Sequence, residues 1–341
     1  MLVDADGLER EIVDQYALAM AASGTGDGRV AFNCRAPVHL ARSSGRRLWT
    51  VQAQDADRYL TGLRHAGCRP STVHGYAAAI ARFYAFVIAR YQADVHALTG
   101  CVVMQPIDEF NRPPRVNYVS VRVPPSRPEV EELFRHWAGQ LPGARKYLPA
   151  ARDYLAASLW RRGGLRIRET AMLDMRDWRP DLGPLGKLHV RYGKGSRGCG
   201  PKARLVPAID GIDALMHWWL TDVRHQFGDD WRNPHAPLLP SERRDRASGA
   251  CGRLGTNPLR AGLATAVAAW LPDWKGRLTP HALRHYCAST LYERGIDLKA
   301  IQHLLGHNWL STTTGYIHVP ARHIENEWEQ ANERTALRLL G

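Results

Sequence analysis

None of the six cysteines has a near neighbour of its own kind; they stand singly at 34, 68, 101, 199, 251 and 287. Without a Cys-x-x-Cys pair, neither a zinc knuckle nor a dithiol redox motif is written into the chain, and thiols so dispersed read as reduced and intracellular. No apolar run approaches the roughly 18 residues that a membrane span needs. The opening "MLVDADGLEREIVDQYALAM" carries early acids and no basic n-region, unlike a secretory signal. The phosphate-cradling Gly-x4-Gly-Lys-Ser/Thr loop is missing, and so is a dinucleotide-binding glycine fingerprint. Internal repeats and low-complexity tracts are missing too. These absences lead us to expect a cytoplasmic protein that works without a nucleotide cofactor or a resident metal.

Acidic residues are also outnumbered, 33 against 46 basic, for a net charge of +13. A charge of that sign and size suits a polyanionic partner, nucleic acid first among them. A generally arginine-rich proteome would produce the same excess, since arginine far outnumbers lysine here. The 341 residues suffice for two domains with at least one sizeable core.

Residues 1–44 read as an N-terminal extension, a short helix followed by the glycine-rich "ASGTGDGR". Beyond "RPST", Val73, Tyr76, Ala77, Ile80, Phe83, Tyr84 and Val87 recur at helical i, i+3, i+4 spacing, with Ser71 or Thr72 available as a cap. An earlier helix in "QDADRYLTGLRHAG" would end at Gly67, so 45–112 is predicted to be a small helical domain. The proline-rich stretch 113–127, holding Arg115, Arg122 and Arg127, is expected to be an extended basic linker. From 128 to 341 the pattern is again mostly helical, interrupted by "KLHVRYGKGSRGCGPKARLVPA". There Leu188 and Val190 precede, and Leu205 and Val206 follow, a glycine-rich tip, which reads as a β-hairpin. The predicted fold class is mainly α with a small β-hairpin or sheet (α+β).

Four stretches carry chemistry. In "GGLRIRETAMLDMRDW", Gly164 ends one helix and Arg166 opens the next, with Glu169 three residues on. A cation at a helix start opposes the local dipole. Arg166 therefore either pairs with Glu169 or waits for an external anion that suits its forked donors. In the hairpin, glycines flank Lys194, and Arg197, Lys202 and Arg204 follow, a set that fits either a proton donor or a general basic loop. "TPHALRHYCAST" places His281, Arg284 and His285 on one helix. The His281/His285 spacing would suit a metal, but a zinc-peptidase helix needs Glu where Ala282 stands, and no acidic or thiol cluster completes a ligand set. A buried hydrogen-bonding role suits His285 better. Finally, in "IQHLLGHNWLSTTTGYIHV", Gly306 ends a helix, His307 follows, and Tyr316 comes nine residues later, after a Ser-Thr-Thr-Thr run fit to start another helix.

Taken in order, Arg166, Lys194, His281-x-x-Arg284, Gly306-His307 and Tyr316 make the chain resemble the tyrosine recombinase (phage integrase) family. The resemblance covers roughly 128–330, and the helical domain before it suits the family as well. It implies a two-domain clamp around duplex DNA, with a core-binding domain and a catalytic domain. Tyr316 would be the nucleophile, Arg166 and Arg284 the phosphate clamp, and Lys194 the general acid. His281 and His307 would be proton-transfer or hydrogen-bonding partners, with Glu169 and His285 in support. The hairpin is longer than the compact family pattern, which leaves Lys202 in competition with Lys194.

These residue types fit that chemistry. Two guanidiniums offset the charge that builds in a pentavalent phosphorus transition state, as an oxyanion hole does, and can stand in for a divalent metal. A phenol with an ordinary pKa near 10 needs a base or a strongly positive site to attack. The leaving 5′ oxygen needs a proton, which a lysine among cations can supply. The resemblance further implies recombination sites in double-stranded DNA as partners, a homotetramer on DNA, a monomer or weak oligomer when free, and a nucleoid-associated location. The readings set against it are a type IB topoisomerase-like enzyme, a non-catalytic DNA-binding protein of the same fold, and a metallohydrolase built on His281 and His285.

Overall fold

The structure is a computed structural model that describes residues 4–114, 124–193, 202–307, 310–314 and 317. Two compact units divide it, one formed by the described residues up to 114 and the other by those from 124 onward.

In the first unit, helices α1 (Ala5–Ala22), α2 (Asp27–Ser44), α3 (Ala53–His65) and α4 (Pro70–Thr99) share one core. Helix α4 buries Val73, Ala77, Ile80, Phe83, Tyr84 and Val87 in a stripe of the predicted spacing. Its start differs from expectation. Arg69 is the N-cap and Pro70 the first helical residue, because proline's fixed φ and missing N–H suit that position. Of the segment 1–44, expected as an extension, the described residues 4–44 bring α1 and α2 into this core through Leu8, Ile12, Tyr16, Met20 and Leu40. Tyr16 meets Phe83 edge to face at 5.2 Å. Covering such side chains is worth about 1.5–3 kcal/mol each, so two amphipathic helices beside an apolar α4 are driven onto it. Helix α4 is long and apolar enough to cross a membrane. Polar residues interrupt its apolar positions, and here the stripe faces the core of the unit.

The second unit opens with α5 (Arg127–Gln140), held by a capping box between Ser126 and Glu129, and α6 (Tyr147–Gly163). The last residue of the expected linker is therefore helical, and 115–123 lie outside the described residues. After the short α7 (Ile167–Ala171) come β1 (Trp178–Arg179), β2 (Lys187–Gly193) and β3 (Lys202–Pro207), an antiparallel sheet in that order. Next are α8 (Ile212–Trp218), the strand pair β4 (Pro240–Arg244) and β5 (Cys251–Arg253), and α9 (Thr256–Trp270). Helices α10 (Pro280–Glu293), α11 (Leu298–Leu305) and α12 (Leu310–Thr314) follow. Strands β1, β4 and β5 were not expected, being too short to show an alternating pattern.

The β2–β3 hairpin pairs Leu188 with Val206 and Val190 with Arg204. Leu188, Val190 and Val206 are buried, whereas Leu205 is 44% exposed. Leu205 and Val206 were both expected in the apolar pattern. Because neighbours on a strand point to opposite faces, burying Val206 turns Leu205 outward. The same alternation sends Arg204 inward. Behind the sheet stands α6, whose Trp160 is fully buried and donates from Nε1 to Thr170 Oγ1 at 2.9 Å. That bond ties α6 to α7, where the site begins.

Candidate active site

The turn from α6 into α7 is set by glycine. Gly164 caps α6 in the left-handed region at φ 61°, and a Cβ there would lie 2.6 Å from Leu305 Cδ2. Arg166 then serves as N-cap of α7 with Glu169 three residues on. The Arg166 backbone N–H donates to Glu169 Oε2 at 2.8 Å, and its Nη1 donates to Oε1 at 2.7 Å. The sequence left a choice between this pairing and an external anion. The pairing is present, yet the Arg166 side chain stays 23% exposed while that of Glu169 is 2% exposed, so an open edge remains on the arginine.

Arg204 completes the carboxylate's surroundings. It donates Nη1 to Glu169 Oε1 at 2.9 Å and Nη2 to Oε2 at 2.8 Å, and its Nε reaches Leu304 O at 2.8 Å. Sequence reasoning placed Arg204 among the cations of a basic loop and missed this role. The signal that could have found it was the strand alternation that puts it on the same face as Val206. Burial pushes the Glu169 carboxyl upward, but the hydrogen bonds and charge of Arg204, with Arg166 behind them, outweigh that and hold it at about 2.

Arg284 comes from the middle of α10, whose N-cap Thr279 accepts from Ala282 N. Its guanidinium is fully buried. It donates to Gly164 O and to Leu305 O, the latter at 2.6 Å, and its Nη2 lies 3.0 Å from His307 Nε2. A guanidinium only donates, so Nε2 must be the acceptor and the His307 proton sits on Nδ1. That Nδ1 faces Thr313 Oγ1 at 3.0 Å, and Gln302 Nε2 donates to His307 O at 3.0 Å. Burial, then the charges of Arg284, Arg166 and Arg204, lower the His307 pKa to about 3. His307 is a neutral imidazole with a defined tautomer, positioned by Gly306 at the left-handed end of α11.

Three of the six principal candidates, Arg166, Arg284 and His307, thus meet in one network with the supporting Glu169. His281 sits at the exposed start of α10, its ring edge to face with half-buried His285 at 4.7 Å between centroids. Among the described residues no group of three or more His, Cys, Asp or Glu side chains could hold a metal ion. Lys202 pairs with Gly193 at the neck of the hairpin, and a Cβ on Gly193 would sit 2.3 Å from Lys202 O. Lys202 also lines a cavity of about 330 Å³ together with Arg204, Lys299, His303, Gly306 and His307. Lys194 and Tyr316 lie outside the described residues.

The arrangement presents buried, oriented cations beside a basic cavity, suited to a phosphate rather than to a neutral substrate. Comparison with known proteins points the same way. The model of the Phage integrase family matches residues 141–323. The protein named tyrosine recombinase XerC of Mycobacterium tuberculosis (strain ATCC 25177 / H37Ra) is 30% identical over 312 residues, 90% of this chain and 97% of that protein. Its namesake in Nitrobacter winogradskyi is 35% identical over 190 residues, covering 54% of this chain and 51% of that protein, about half its length. Among solved structures, the Tn1549 transposon integrase in complex with circular intermediate DNA superposes with a TM-score of 0.62 at 17% identity, over 94% of this chain and 99% of that one. A lambda integrase dimer bound to a core site gives 0.62 at 16% identity, over 92% and 96%. At these identities the two structures speak for the shared fold.

Proposed function

Because this chain belongs to the phage integrase family of tyrosine recombinases, we propose that it is a site-specific DNA recombinase that cuts and rejoins DNA through a 3′-phosphotyrosine link. The observation that carries the reading is the convergence of Arg166, Arg284 and His307 around Glu169: Arg166 hydrogen-bonds the carboxylate, Arg284 stands 3.8 Å from it as an ion pair, and His307 hydrogen-bonds Arg284. Arg166 stands more than a hundred positions from the other two in the chain, and a phosphate clamp is what such a convergence suits.

In this reading Tyr316 attacks the scissile phosphorus through its phenolic oxygen. The P–O5′ bond breaks, and the leaving oxygen takes a proton from Lys194, with Lys202 at the hairpin neck as the competing donor. Arg166 and Arg284 hold the non-bridging oxygens while negative charge builds on them. His281, at the exposed start of α10, takes the tyrosine's proton. His307 acts by hydrogen bonding, since its acceptor nitrogen already orients Arg284 and it carries no charge to donate. The phosphotyrosine conserves the bond energy, so a free 5′ hydroxyl from another strand can reverse the step without ATP. The helical first unit serves as the core-binding half and the second unit as the catalytic half. Four copies assemble on two recombination sites in the cytoplasm, with the free protein a monomer or weak oligomer.

The test is covalent trapping. Wild-type protein is incubated with a library of nicked suicide duplexes of randomised core sequence, without divalent metal, and resolved on a denaturing gel. A protein–DNA adduct is expected from wild type and none from Tyr316→Phe. Duplex binding without an adduct, or an adduct undiminished by Tyr316→Phe, would defeat the reading.

A further inference from the structure

Glu169 has about four lone-pair positions, as any ionised carboxylate does. All four are taken, by Arg166 N, Arg166 Nη1, Arg204 Nη1 and Arg204 Nη2, at 2.7 to 2.9 Å. Arg284 Nη1 stands 3.8 Å from Oε2, outside hydrogen-bond distance. Arg204 therefore supplies half of the donors that saturate this buried carboxylate. Its third anchor, Leu304 O, belongs to the same turn as Leu305 O, which holds Arg284, and as Gly306 and His307. The fit at that turn is close, since a Cβ on Gly306 would meet Arg204 Cδ at 2.9 Å.

We propose that Arg204 is a positioning residue: it satisfies Glu169 and fastens β3 to the end of α11, so that Arg166 and Arg284 keep the arrangement proposed to hold the scissile phosphate. This rests on the reading of Arg166 and Arg284 as the clamp. Without Arg204, two lone pairs of a buried carboxylate lose their donors. Glu169 must then draw Arg284 across the 3.8 Å gap, tighten on Arg166, or take up a proton, and each course disturbs the clamp. In this scheme Arg204 acts through its bonds to Glu169 and Leu304 O rather than through a contact of its own with DNA.

The experiment uses the full chain and a trapped suicide duplex, with adduct formation followed under single-turnover conditions at saturating protein from acid to alkaline pH. Arg204→Met is expected to slow cleavage by about 10²-fold, the scale of a small misplacement in a reactive site. Duplex affinity and its salt dependence should stay at wild-type values. An acid limb should appear in the variant's rate profile as Glu169 becomes protonatable, and it should vanish in Arg204→Met/Glu169→Gln. Arg204→Lys keeps the charge but not the two-pronged grip and should fall between. It carries the test if Arg204→Met fails to fold, a wild-type rate for it then overturning the proposal. An Arg204→Met rate equal to wild type overturns it as well. So does a normal maximal rate with weaker binding and a salt slope reduced by about one, which would make Arg204 a phosphate contact. If wild type itself forms no adduct, the recombinase reading fails first and takes this proposal with it; failure of Arg204 alone leaves wild-type cleavage and its dependence on Tyr316 intact.

Discussion

His307 owes its low proton affinity, about 3 against an ordinary 6.5, first to burial and then to the three arginines around it. The consequence for stability has a definite sign. Below about 6.5 the unfolded chain protonates this imidazole, while the folded chain keeps it neutral down to about 3. The unfolded state binds the extra proton in that window, so stability falls as pH drops, by up to about 1.4 kcal/mol per pH unit for one such site. Glu169 does not blur this signature. Its folded pKa of about 2 lies below its ordinary 4.5, so its contribution is fully present above 4.5 and lost only as pH falls toward 2. Urea unfolding between pH 7 and 5 should therefore cost wild type more stability than His307→Gln, whose side-chain oxygen still accepts from Arg284. Parallel pH dependences for the two proteins would contradict a neutral His307.

At the scale of elements, the turns matter as much as the helices they end. Gly164 and Gly276 both adopt left-handed backbone, at φ 61° and 72°, but only Gly164 is crowded. An alanine Cβ at 164 would lie 2.6 Å from Leu305 Cδ2 and 3.3 Å from Cys287 Sγ, whereas at 276 nothing lies within 4 Å. Gly276→Ala should cost only the conformational strain, about 1 kcal/mol. Gly164→Ala should cost that plus the displacement of α11, about 2–4 kcal/mol in all. Thermal denaturation checks the order, and equal melting temperatures would mean that the α6–α7 turn and α11 are not packed as described. The hairpin is a second case. Its existence follows from alternating apolar residues around glycines, while its inward Arg204 and outward Leu205 depend on the register with β2.

For the whole molecule, a net charge of +13 would set the terms of the proposed DNA binding. Affinity that comes from neutralising phosphates releases counterions, and six or more such contacts weaken binding by about 10³-fold or more between roughly 50 and 200 mM salt. Fluorescence anisotropy with a labelled duplex should show that steep decline for wild type. A salt-insensitive affinity would show that the basic excess is spread over the surface without engaging the backbone.

The sequence by itself determined what depends on near neighbours. The stripe of α4, the glycine ends at 164 and 306, the Arg166–Glu169 spacing and the shared helix of His281, Arg284 and His285 were all legible, because 3.6-residue and two-residue periods are local properties. The order of the motifs was legible too, and it identified the family. Only the tertiary structure decided that α1 and α2 join a core, that Arg204 turns inward onto a carboxylate 35 positions away, and that Arg284 reaches a carbonyl 120 positions away. It likewise decided that His307 is a neutral acceptor. The first outcome depends on which apolar stripes find each other across the core, and the others on which buried donor meets which buried acceptor, where the cost of leaving either one unpaired selects the arrangement.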